Sequence, residues 1–230
     1  MLLLAVDTST LQGGVCLTRD DHLIASLSFN VKLTYSEKLI PLIDNLLKTA
    51  GYEVNDLEGF VVAQGPGSFT GLRVGITTII GMAHALKKKI AAIPTLDFLS
   101  MNALVGDYYV CPMMDARKNE VYTAIYEPAL SPYPLTLTPK SEYMACSIQF
   151  LIDEVKKDFG NKKTVFLGNG LENYQSFLET ALGNKAICLS RPFWKHDVYY
   201  LAYLGFLKFQ NNQVNEPSNI EPFYVRTHFL

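Results

Sequence analysis

The chain opens on a nearly continuous apolar run, Leu2–Thr8, the pattern of a strand covered on both faces. Gly14–Thr18 and Leu23–Phe29 follow as hairpin partners across a polar Asp20-Asp21 turn. Leu39, Ile40, Ile43, Leu46 and Leu47 then recur at helical spacing and predict a helix over Ser36–Ala50, with Gly51 at its end. A start near Glu37 would put Pro41 at the end of the first turn, where its missing N–H does least harm. Gly59–Ala63 reads as a buried strand and Gln64-Gly65-Pro66-Gly67 as a turn. Ser68 is placed to N-cap a long helix reaching Lys88. A strand at Ile90–Ile93 and a helix at Thr95–Leu104 complete the first half.

The second half starts in the same way. Val110–Asp115 is a strand, the polar Ala116–Asn119 a turn, and Glu120–Tyr126 its hairpin partner. The Pro-containing stretch Glu127–Pro139 reads as an insertion loop. Helix Ile148–Asp158, strand Thr164–Leu167, helix Glu172–Leu182, strand Ala186–Leu189 and helix Val198–Phe209 follow. Three strands in the first half and a two-strand hairpin in the second, each followed by alternating helices and strands, predict an α/β fold of two lobes with related topology. We place the lobes at residues 1–103 and 104–230, with the final helix free to pack back on the first.

A chain of 230 residues can bury about 70–75% of the surface its unfolded form exposes, enough for a substantial core. Its composition, 49% hydrophobic and 18% charged, excludes a disordered or collagen-like chain. A net charge of −2 argues against a broad basic face for nucleic acid and leaves room only for a local patch. Cys16, Cys111, Cys146 and Cys188 form no C-x-x-C pair, so we read them as core thiols in a reducing compartment. The first apolar run has no basic leader and is cut short by Asp7. The window Val74 to Leu86 carries Thr77, Thr78 and His84 and falls short of the ~18 apolar residues of a membrane span. We therefore expect a cytoplasmic protein.

Asp7-Thr8-Ser9 could hold a hydrated cation beside a phosphate, or it could simply cap a turn, the reading we favour. Gly65-Pro66-Gly67-Ser68-Phe69-Thr70-Gly71-Leu72-Arg73-Val74-Gly75 is the most distinctive segment. Glycines ahead of a helix invite an anion, but no Lys-Ser/Thr follows the last of them, so it is not a P-loop. The alternative, which we prefer, is close packing along the stripe Gly71, Gly75, Thr78 and Met82. His22, His84, His196 and His228 form no helical metal pair. Lys87-Lys88-Lys89 ends a helix, where cations meet the dipole. Gly168-Asn169-Gly170 is either a turn or part of a nucleotide cleft.

Taken together, Asp7-Thr8-Ser9, Ser36–Ile43, Gly65–Gly75, Met114–Tyr122 and Pro222-Phe223-Tyr224-Val225-Arg226 resemble the bacterial TsaB (YeaZ) family over essentially the whole chain. Tyr35 departs from the pattern: the family usually has His there. The resemblance implies a fold of the actin/sugar-kinase/Hsp70 ATPase type and a role in making threonylcarbamoyladenosine beside the tRNA anticodon. It also implies a catalytic paralogue, TsaD, whose His-x-x-x-His metal pair falls at Thr95 and Leu99 here. Neither residue can replace a histidine ligand, and the glycine-rich phosphate hairpin of TsaD is replaced by Asp115-Ala116-Arg117-Lys118.

The implied protein is a noncatalytic subunit that binds TsaD, with a TsaE ATPase joining and tRNA met only through the complex. No catalytic residue, metal or cofactor is expected; Asp7, Thr8, Ser9, Gly168 and Gly170 are the remaining nucleotide-site candidates. By resemblance, the helices Ser36–Ala50 and Ser68–Lys88 pack on their TsaD counterparts. Glu37, Leu39, Ile43, Leu46, Gly71, Gly75, Thr78 and Met82 are the candidate interface, with Gly71 and Gly75 allowing close approach. Part of that apolar set must instead face its own sheet. Without TsaD the same surface would form a homodimer. The competing readings are a stand-alone kinase or ATPase, with Asp7 or Asp115 as its acid, and a metallopeptidase.

Overall fold

A computed structural model describes residues 1–30, 35–103, 106–128 and 136–225. The chain forms two compact units, one of Met1–Phe98 with His196–Tyr224, the other built on Leu99–Lys195.

The first unit contains β1 (Leu2–Asp7), β2 (Gln12–Arg19), β3 (His22–Asn30), α1 (Tyr35–Ala50), β4 (Gly59–Gly65), α2 (Phe69–Leu86) and β5 (Ile90–Pro94). α3 (Thr95–Ser100) lies at its chain exit, and the returning segment supplies α6 (Val198–Gln210). The sheet order is β3-β2-β1-β4-β5, antiparallel through β1–β2–β3 and parallel through β1–β4–β5. One face, with Leu2, Leu4, Val6, Val15, Leu17 and Phe60, packs under α1 and α2. The other, with Leu3, Ala5, Val61 and Ala63, packs under Leu201, Ala202 and Phe206 of α6. Cover on both sides is why β1 reads as an unbroken apolar run rather than an alternation.

Ser68 caps α2 as expected, its hydroxyl accepting from the Gly71 N–H. The helix stops at Leu86, two residues earlier than the sequence suggested, because Lys87 turns left-handed at φ 53°. α1 begins at Tyr35, so Pro41 lies in the second turn and leaves the exposed Glu37 carbonyl without an intrahelical donor. The helix from Thr95 is shorter than expected and passes into a 3₁₀ turn at Met101–Ala103; Leu104 lies outside the described residues.

The second unit contains β6 (Tyr108–Arg117), β7 (Glu120–Thr123), β8 (Tyr126–Pro128), β9 (Leu137–Pro139), β10 (Met144–Ser147), α4 (Ile148–Asp158), β11 (Lys163–Leu167), α5 (Leu171–Leu182) and β12 (Ala186–Cys188). The order β10-β7-β6-β11-β12 repeats that of the first sheet. The single strand expected at Glu120–Tyr126 is broken at Ala124–Ile125, and β7 and β8 both pair with β6. The ends of the expected insertion loop form part of the sheet, with Tyr126 opposite Pro139; residues 129–135 lie outside the described residues.

Candidate functional site

In the first unit the tip of β1 meets the start of α2 and the residue that leads into α6. Asp7, Thr8 and Ser9 are all buried there. The Asp7 Oδ1 accepts the Ser9 N–H at 2.8 Å, and its Oδ2 lies 3.2 Å from the His196 Nδ1. The same Nδ1 lies 3.2 Å from the Ser9 Oγ. A carboxylate only accepts, so a hydrogen bond from the ring to Asp7 takes the tautomer with its proton on Nδ1. Phe98 presses on the imidazole edge-on, ring centres 5.5 Å apart. The Thr8 hydroxyl donates to the Gly71 carbonyl at 2.8 Å, and the Ser9 carbonyl accepts the Ser68 N–H at 2.6 Å.

The side-chain oxygens of Asp7, Thr8 and Ser9 are therefore each engaged by the protein itself. The turn-cap reading of Asp7-Thr8-Ser9 describes the geometry; a phosphate-bound cation would need the oxygen atoms these contacts occupy. Beside it, the Tyr35 hydroxyl donates to the Thr10 carbonyl. Burial, reinforced by the Asp7 charge, pushes that phenol well above its ordinary pKa.

The glycine-rich segment packs closely, but on a different neighbour from the one expected. A Cβ at Gly71 would collide with the Thr8 carbonyl oxygen, one at Gly75 with the Thr8 hydroxyl, and one at Gly67 with Ser9. These glycines let α2 approach its own β1, so they are unavailable to another helix. A second correction concerns α1. Leu39, Ile43 and Leu46 are at most 3% exposed and belong to the core under the sheet, as do Ile76 and Ile79 of α2. Of the proposed interface residues only Glu37 is exposed, while Thr78 and Met82 are half-buried.

The solvent-facing side of the two helices is a different set. On α1 it includes Ile40, 53% exposed, and Pro41. On α2 it is the stripe Thr70, Arg73, Thr77, Gly81, His84 and Ala85, and a Cβ at Gly81 would meet nothing within 4 Å. Only 6 of the 18 residues of α2 are buried, although the helix is apolar enough in length and composition to cross a membrane.

In the second unit Gly168-Asn169-Gly170 is a turn locked onto β6. The Gly170 N–H donates to the Met113 carbonyl at 3.0 Å, and the Asn169 Oδ1 accepts the Asp115 N–H at 3.0 Å. Gly168, at φ 104°, leaves no room for a Cβ beside the same carbonyl. This packing takes up one backbone donor of the loop, the Gly170 N–H, and fits the turn reading. Thr95 and Leu99 are fully buried, and the Thr95 hydroxyl has no partner among the described residues. No group of three or more metal-binding side chains occurs among the described residues. Burial pushes the thiols of Cys16, Cys111 and Cys146 up to about 12 and that of Cys188 to about 11, so all four stay protonated at neutral pH.

Two groupings were missed by the sequence reading. His196 reaches Asp7 across 189 positions of chain, which no local spacing signals. Phe69, Arg73 and Tyr224 converge on the surface at the start of α2. The i, i+4 spacing of Phe69 and Arg73 was visible in the sequence, but the approach of Tyr224 was not.

Comparison with known proteins places this architecture. Residues 30–220 match the family model described as TsaD, tRNA N6-adenosine threonylcarbamoyltransferase. The chain is 28% identical over 226 residues to the tRNA threonylcarbamoyladenosine biosynthesis protein TsaB of Bacillus subtilis, covering 98% of this chain and 94% of that one. Among solved structures it is similar to YeaZ from Pseudomonas aeruginosa, with TM-score 0.80, 23% identity and 97% and 99% of the two chains covered. A putative N-acetylmannosamine kinase from Listeria monocytogenes shares the architecture at TM-score 0.51 and 9% identity, over 92% and 100% of the chains. The repeated sheet order therefore belongs to the actin/sugar-kinase type of fold. With its sequence matches spanning nearly the full length, the chain belongs to the TsaB (YeaZ) family of tRNA threonylcarbamoyladenosine biosynthesis proteins.

Proposed function

We propose that this chain is a noncatalytic, activating subunit that binds the TsaD catalytic subunit in the cytoplasmic complex making N6-threonylcarbamoyladenosine in tRNA. The observation that carries the reading is the outward side of α2. Seven of the 18 residues of α2 are exposed, and beside Phe69, Arg73 and His84 they are the small Thr70, Thr77, Gly81 and Ala85. Small side chains on an exposed helix face let a second helix approach closely, and Ile40 and Pro41 of α1 add apolar area. The strand tip that would hold a nucleotide's phosphates is engaged by His196, Ser68 and Gly71, which supports a partner role over a kinase or metallopeptidase role. In this reading a TsaE-type ATPase joins the assembly, tRNA is met through the complex, and a homodimer forms on the same face when TsaD is absent.

The reading is tested by sedimentation of the purified chain with and without TsaD, together with ATP hydrolysis by the chain alone. A one-to-one complex and no turnover by the isolated chain are expected. Robust hydrolysis by the isolated chain, or no complex at micromolar concentrations of both proteins, would overturn it.

A further inference from the structure

Two of the segments that carry the family resemblance, Gly65–Gly75 and Pro222–Arg226, meet at three side chains that packing does not require. Phe69 and Arg73 lie one turn apart on α2, and the Arg73 guanidinium carbon sits 3.8 Å from the centre of the Phe69 ring. Phe69 stacks on Tyr224, ring centres 5.6 Å apart at 29°, and the Arg73 Nε donates to the Tyr224 hydroxyl at 3.3 Å. The segment that carries Tyr224 is itself fixed. The Phe223 N–H donates to the Gln64 carbonyl and the Gln64 side chain to the Glu221 carbonyl, each at 2.8 Å. Yet Phe69 is 54% and Tyr224 47% exposed. An exposed cation–π contact adds little to folding, so stability alone does not account for the cluster.

We propose that Phe69, Arg73 and Tyr224 form the anchor of the partner-binding face, a preformed slot that receives a carboxylate of the partner protein flanked by apolar surface. The proposal rests on the partner reading above and goes beyond it by naming the contact. Arg73 lies on the same outward stripe as Thr70, Thr77 and Gly81, so the slot is continuous with the proposed helix-docking surface. Among the described residues the arginines in ion pairs are Arg117 and Arg191, and Arg73 has no carboxylate. Its guanidinium carbon lies over an aromatic ring with the Nε–H engaged, which leaves the outer fork for a planar, bidentate acceptor.

Holding the arginine in advance also removes much of the entropy cost of ordering it on binding. Aromatic residues and arginine in a rigid patch are the composition of binding hot spots. Arg73 is the only cation from Phe69 to Ala83, too sparse a charge for tracking a phosphate backbone, which favours a protein carboxylate over RNA.

The test is titration calorimetry of TsaD against the chain and its Arg73→Gln, Arg73→Lys, Phe69→Ala and Gly81→Leu variants, with thermal melts confirming that each variant is folded. Arg73→Gln and Phe69→Ala are expected to weaken binding at least tenfold, and Arg73→Lys to fail to restore it, because an ammonium cannot form the fork or lie on the ring. Affinities within twofold of the unaltered chain for the Arg73 and Phe69 variants, while Gly81→Leu abolishes binding, would overturn the anchor and leave the partner reading standing. Unchanged binding by Gly81→Leu as well would overturn the anchor and move the docking surface off this face of α2, while no binding by the unaltered chain would remove the partner reading itself. A synthetic anticodon stem-loop RNA is titrated in parallel. Loss of RNA affinity on Arg73→Gln, with TsaD affinity unchanged, would overturn the proposal in favour of a base-stacking platform.

Discussion

Thr8 accounts for the glycines that make the Gly65–Gly75 segment so distinctive: its carbonyl and hydroxyl fill the space a Cβ would need at Gly71 and Gly75. Gly75→Leu should therefore damage the first unit itself, lowering stability by about 3 kcal/mol or more through overpacking. Gly81→Leu, in open space, should leave the melting temperature within a few degrees of the unaltered chain. Thermal melts of the two variants side by side check this, and equal stability would put Gly75 on the wrong side of the helix. Spacing showed that small residues line one stripe of α2. It could not show which neighbour they face, because a sheet and a partner helix demand the same small residues.

His196 was harder still to foresee, since a histidine between a lysine and an aspartate carries no signal until the chain returns to β1. With Asp7 fully buried, His196→Ala leaves a carboxylate without its partner and should cost about 3–5 kcal/mol, read as a lower urea midpoint. A loss under about 1 kcal/mol would mean that water replaces the imidazole there.

At the scale of elements, α2 was legible because cap and periodicity agree at Ser68; the Ser147 cap of α4 came only with the structure. The break between β7 and β8 was not, because Ala124 and Ile125 are apolar and fully buried and continue the strand pattern. Around that break, Glu127 pairs with Lys140 at 2.7 Å and Lys162 at 3.0 Å, and Lys162 also pairs with Asp107 at 2.8 Å. The hydrogen bonds from Lys140 and then Lys162 hold the Glu127 carboxyl below its ordinary pKa, while Asp107 and then Glu127 raise that of Lys162.

A carboxyl depressed in the folded state stabilises at neutral pH, and the stabilisation is lost as pH falls through its folded value. The raised lysine stabilises until pH rises through its own folded value. Acidifying from pH 6 to pH 3 should therefore narrow the gap in urea midpoint between the unaltered chain and Glu127→Gln. The effect should be modest for a cluster this open to solvent. A gap that stays constant across that range would show that the cluster does not contribute.

For the whole molecule, two sheets of the same strand order were readable as two rounds of strands followed by alternating helices and strands. Assigning residues 196–224 to the first unit took the coordinates, since α6 is apolar all round and could cover either sheet. The larger consequence is chemical. The fold is shared with a putative sugar kinase, but in this chain the tip of β1 is held by its own imidazole and backbone, and α2 turns a face of mostly small side chains outward.

The most direct measurement of that exchange is threonylcarbamoylation of tRNA, with an activated threonylcarbamoyl donor supplied throughout, by purified TsaD and TsaE with this chain, with its Gly81→Leu variant, without it, and by this chain alone. The account predicts modified adenosine only when TsaD and a docking-competent chain are both present. Modification by this chain without TsaD, or full activity with Gly81→Leu, would contradict it.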